Sequence, residues 1–195
     1  MDRSFRLAAA ASLALAAVAV AAPAAGAAPQ VRNPAGPAVF IQTNDAEGNT
    51  VAVYDRDRNG ALTPAGRYAT GGRGGALGGA VVDRLASQGA LTYDSKHHVL
   101  YAVNAGSDTI TVFAVFGDRL VRLQQIASGG TFPVSVAMHG DVVYVLNARD
   151  GGSVQGFRSL GGLLVRVPSW HRSLGLDPAK TPEFNNTPGQ VGITP

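Results

Sequence analysis

The residues that could do chemistry in this chain are few. Asp83, Asp94, Asp108, His98 and Arg73 are the titratable groups that a hydrolytic mechanism could draw on. Such a mechanism needs a base to activate water and a cation or oxyanion hole for the developing charge. Nothing in their spacing brings them together, so no residue is assigned as catalytic. The segment 55–60, DRDRNG, opens like a calcium loop with oxygen ligands at alternate positions and glycine at the bend. Position twelve of that loop is Gly66 instead of a glutamate, and Pro64 interrupts it, so a charged hairpin tip is expected. The run GGRGGALGG at 71–79 invites a phosphate-cradle reading, but no Lys-Ser/Thr pair follows it. Arg73 within it is the one candidate for contact with an anionic ligand. The four histidines, His97, His98, His139 and His171, lack the convergent spacing of a zinc site, so no metal is expected. There is no G-x-S-x-G elbow and no cysteine, and no cofactor motif is present.

The elements that must position these residues begin after a leader. Arg3 and Arg6, an uncharged run from Leu7 to Ala22 and the small residues Ala25-Gly26-Ala27 follow the order of a secretory signal peptide over residues 1–28. The run falls short of the ~20 residues that span a bilayer. A secreted protein, extracellular or periplasmic, with no membrane span after cleavage is therefore expected. Residues 29–38 read as a Pro/Gly linker. The net charge of +3 is spread without a basic run, which argues against nucleic acid as a partner.

From Val39 the chain alternates apolar and polar residues in short runs separated by turns, the period-2 mark of strands. The stretch HVLYAVNAGSDTITVF at 98–113 has variants at 39–54 and 142–157. Asn44, Asn104 and Asn147 close the corresponding strands and are read as turn residues bonding their own backbone. Asn104 and Asn147 are 43 residues apart, within the ~40–45 of a four-stranded propeller blade. The expectation is an all-β, incomplete β-propeller: a blade at 39–68, a rim insertion at 69–86, blades at 87–127 and 131–168, a loop at 169–187 and the first strand of a further blade at 188–195. The glycine-rich insertion is expected to be mobile or only locally ordered, and deletable. Val99, Tyr101 and Val103 on one face of a strand and Leu100 and Ala102 on the other call for a neighbouring sheet on each side.

These blades, above all 101–113 (YAVNAGSDTITVF), with the hairpin 54–63 and the opening 130–136, resemble the lactonase-like seven-bladed propellers and the related YVTN repeats. The resemblance implies a propeller over nearly all of the mature chain. It also implies lactone hydrolysis of the 6-phosphogluconolactonase type, for which such enzymes place His or Arg beside the inner strands. Here those openings read Phe132-Pro133-Val134-Ser135 and Thr187-Pro188-Gly189-Gln190. A binding or scaffold propeller is therefore the preferred reading and a lactone hydrolase the alternative. Three blades are fewer than closed propellers contain. A fragment, or a chain that completes its ring with another, is expected, with exposed blade ends that favour association and an unidentified ligand or protein partner.

Overall fold

The computed structural model describes residues 37–194. The expected signal peptide and most of the linker lie outside them, as does Pro195. Among the described residues eleven strands form three antiparallel sheets, each a simple meander. The first contains β1 (Ala38–Gln42), β2 (Thr50–Arg56) and β3 (Leu62–Ala69). The second contains β4 (Leu91–Asp94), β5 (Val99–Asn104), β6 (Thr109–Phe116) and β7 (Arg119–Ala127). The third contains β8 (Pro133–His139), β9 (Val142–Asn147), β10 (Ser153–Leu160) and β11 (Leu163–Ser173). This is the all-β partial propeller that the repeat predicts.

The two-sided apolar pattern of β5 decides how the sheets stack. Val99, Tyr101 and Val103, with Ile110 and Val112 of β6, join Val134, Val136, Val143, Val145 and Phe157 of the third sheet in one core. Leu100 and Ala102, with Phe113 and Leu120, join Val51 and Val53 of the first sheet in another. Alternate residues of one strand thus feed two cores, and the middle sheet is buried on both faces. Tyr101 is fully buried and donates its hydroxyl to the carbonyl of Gly162 at 3.0 Å, tying the middle sheet to the β10–β11 turn.

Three expectations need correction. The last strand does not stop at 168 but runs to Ser173. Pro168 has no N–H to give the ladder, and a register shift between Gln155 and Phe157 absorbs it. The chain bulges there, Trp170 covers Gly156, and pairing resumes with Gln155 opposite His171. Residues 188–194 join no sheet among the described residues; they lie beside the inner strands, where Gln88 N–H donates to Gly189 O at 3.0 Å and Val191 N–H to Ser135 Oγ at 3.3 Å.

The third correction is the glycine-rich insertion, which is packed rather than loose at 72–77 and Leu85, while Val81 and Val82 stay exposed. Leu77 and Leu85 are buried within the larger core. The amide of Leu77 donates to Arg84 O at 2.8 Å and that of Gly74 to Asp45 O at 2.7 Å. A Cβ on Gly74 would lie 2.2 Å from the Asn44 carbonyl, and one on Gly106 would lie 2.1 Å from the Gly74 oxygen. The glycines permit backbone to lie on backbone; they do not leave it free.

Candidate functional site

The end of the sheets where β5 and β9 finish is a rim built from repeated parts. Thr70-Gly71-Gly72 and Ser128-Gly129-Gly130 each carry the chain from the outer strand of one blade to the next. A Cβ on Gly72 would meet Asn104 at 2.4 Å, and one on Gly130 would meet Asn147 at 2.7 Å. The second glycine of each pair is therefore wedged against the asparagine that ends the next blade's second strand. Those asparagines do more than turn their own backbone. Asn104 donates to Thr111 Oγ1 at 2.9 Å and accepts from Asn49 Nδ2 at 2.9 Å, while Asn44 exchanges two bonds with the backbone of Gly75. Asn147 is the exception, because its Oδ1 is buried without a partner. Asp108 stands where Asn49 stands one blade earlier, and a carboxylate cannot donate.

The residues singled out for chemistry are dispersed. Asp83 accepts the amides of Leu85 and Ser87, at 3.1 and 3.0 Å. Asp108 accepts the amide of Phe132 at 2.7 Å, which holds Phe132 at a φ of 62°. Arg73 is exposed at the rim, its guanidinium reaching Gly106 O at 3.4 Å. Asp94 and His98 lie at the far end of β5 from this rim. Asp94 is fully buried, accepts the amides of Lys96 and His97, and takes His97 Nδ1–H at 2.7 Å. His98 contacts the Tyr93 hydroxyl at 3.1 Å. His139 and His171 are exposed, and among the described residues no group of three acidic or histidine side chains could hold a metal. The 55–60 segment is the expected hairpin tip, where Asp57 accepts the amides of Asn59 and Ala61, both at 2.8 Å.

The charged group that sequence reasoning missed is Arg149 with Glu183. Arg149 Nε donates to Glu183 at 2.6 Å and Nη2 to the second carboxylate oxygen at 3.2 Å, a bidentate pair. The same Nη2 reaches Ala76 O at 3.1 Å, and Glu183 also accepts the amide of Gly78. The guanidinium lies over the Phe132 ring, 4.2 Å from its centroid. Arg149 beside it holds the Glu183 carboxyl below the usual carboxylate range, and the pairing raises Arg149 in turn. The two residues sit 34 positions apart in no motif, so no sequence signal linked them.

Beside this pair is a cavity of about 130 Å³ between the β9–β10 turn and residues 176–187, with Asp150, Asp177, Lys180 and Thr187 in its walls. A second cleft of about 300 Å³, on the inner side, is lined by Asp83, Ser87, Gln88 and Gln190.

No curated protein sequence matches this chain. A crystal structure of a protein of unknown function from Desulfotomaculum acetoxidans superposes with a TM-score of 0.50 at 18% identity, covering 76% of this chain and 45% of that one. The periplasmic gluconolactonase of Pseudomonas aeruginosa superposes with a TM-score of 0.50 at 19% identity, covering 73% and 41% respectively. The chain thus spans less than half the length of these two structures, and at such identities the likeness concerns the fold. The sequence profile described as "Lactonase, 7-bladed beta-propeller" matches residues 4–159. The chain belongs to the seven-bladed β-propeller lactonase family.

Proposed function

We propose that the chain serves in a secreted binding or scaffold propeller whose rim, rather than a hydrolytic centre, meets the ligand. The observation that carries this reading is how the candidate acids are used. Asp83, Asp94 and Asp108 accept backbone amides, and Glu183 is closed into a bidentate pair that also takes an amide. Carboxylates fixed by amide donors cap turns; a general base for water attack needs a free lone pair facing substrate. Arg73 is an exposed cation on this rim and is assigned to contact an anionic ligand. Export rests on the leader-like order of residues 1–28.

A lactone hydrolase is the second reading. Family membership favours it, and so does the inner cleft, where Asp83 is the carboxylate among the polar side chains of Ser87, Gln88 and Gln190. The experiment is pH-stat titration of the purified protein with γ-butyrolactone, δ-valerolactone and glucono-δ-lactone. The binding reading expects acid release at the buffer rate. Turnover that falls to background in Asp83→Asn or Gln190→Ala overturns it in favour of hydrolysis.

A further inference from the structure

Residues 174–187 leave β11 and return to the inner strands, pinned at both ends. At the start, Leu174 and Leu176 donate their amides to Gly152 O and Gly151 O, each at 2.9 Å. At the finish, Pro188 rests near Gly152, and Gly189 accepts the amide of Gln88. Between these anchors most side chains are exposed, and Glu183 and Phe184, with Pro182 beside Gly79, hold the segment down. Glu183 supplies the ionic contact to Arg149 and the amide of Gly78. Phe184 supplies the apolar one, packing beside Gly79 against the larger core, with its amide on Gly78 O at 3.3 Å. The cavity of about 130 Å³ lies directly beneath, with Ala148 in its wall only 2% exposed.

We propose that residues 174–187 are an ionically latched strap that gates this cavity. The Arg149–Glu183 pair is the catch, and both anchors act as hinges. Closed, the strap covers Ala148 and the paired charges; open, it admits a solute the size of the cavity to Ala148 and the β9–β10 turn. The catch joins two partly exposed side chains, 38% and 29% accessible, so it is weak enough to open without unfolding the sheets. Charge-assisted bonds still make it the strongest single contact the strap has. The inference does not depend on whether any lactone is hydrolysed.

The chain contains no cysteine, so one introduced thiol reports alone. Ala148→Cys is expected to react slowly with a maleimide, and Ala148→Cys/Glu183→Gln about tenfold faster, the scale set by loss of one charged hydrogen-bonded contact. Equal rates overturn the proposal, as does free-thiol reactivity with the catch intact. Because a thiol at a buried site could disturb packing, amide exchange in Glu183→Gln alone provides the second reading. Faster exchange at Gly78 and Phe184 with β5 and β9 unchanged supports the latch. Acceleration across β5 and β9 as well would make the pair a brace of the whole fold, and no change would leave the strap without its catch; either defeats the proposal.

Discussion

Tyr101 offers the sharpest quantitative test of the packing between the second and third sheets. Its ring is fully buried between them, and its hydroxyl meets Gly162 O and Ser159 Oγ, at 3.0 and 3.3 Å. Burial pushes its hydroxyl up from 10.0 to about 12; the Ser159 bond opposes this slightly and the Asp94 charge adds to it. The folded chain therefore keeps the phenol proton at pH values where the unfolded chain loses it. The stability this confers is fully present below pH 10 and lost as pH rises from 10 through 12. Two pH units at 1.36 kcal/mol each amount to about 3 kcal/mol. Tyr101→Phe removes the titration and leaves the Gly162 carbonyl short of a donor, at about 1–2 kcal/mol. Urea unfolding followed by far-UV circular dichroism should find the wild type more stable at pH 8 by that smaller amount. The order should reverse above pH 12, with the two stability curves crossing in between. Parallel curves from pH 8 to 12 would refute the buried, proton-bearing Tyr101.

Other sites give shorter tests. Gly74→Ala drives a methyl into the Asn44 backbone and should destabilise by about 3 kcal/mol or more, read as a lower urea midpoint; a change under 1 kcal/mol would show that the segment yields. Asp108→Asn restores the donor that Asn49 supplies one blade earlier, so the buried Asn147 oxygen should gain a bond and the chain about 1 kcal/mol; equal or lower stability counts against the equivalence. Glu183 has a depressed carboxyl, so its contribution is present above its ordinary value of 4.5 and is lost as pH falls through the folded value. The Arg149 Nε–H resonance should therefore shift on acidification below pH 4.5, and in Glu183→Gln it should not.

The sheets were legible because strand chemistry repeats locally. Tyr101-Ala102-Val103-Asn104 and Tyr144-Val145-Leu146-Asn147 carry both the period-2 pattern and the closing turn. The rim was not, because its determinants are contacts rather than patterns. Glycines at 71–79 look like freedom in composition, yet their function is to admit Asn44, Asn104 and Gly106, which are distant in sequence. A signal was present in the pairing of Thr70-Gly71-Gly72 with Ser128-Gly129-Gly130, which marks the same crossover twice, and in the isolated Leu77 and Leu85. The last strand reads as ending at 168 because the bulge that carries Pro168, residues 167–170 facing the single Gly156, shows only in the pairing. For the candidate site, spacing brought Asp83, Asp94, Asp108 and His98 to no common point. The Arg149–Glu183 pair, joining a turn to a segment without regular pattern, was not legible.

Amide hydrogen exchange at 72–77 tests most directly whether the rim is a built, ordered surface. The amides of Gly72, Gly74, Gly75 and Leu77 are bonded to Thr70 Oγ1, Asp45 O, Asn44 Oδ1 and Arg84 O, at 3.1, 2.7, 3.0 and 2.8 Å. Protection at Gly74 and Leu77 comparable to that of β4 and β5 is the predicted result. Exchange at the rates of an unstructured peptide, with β5 still protected, would contradict it.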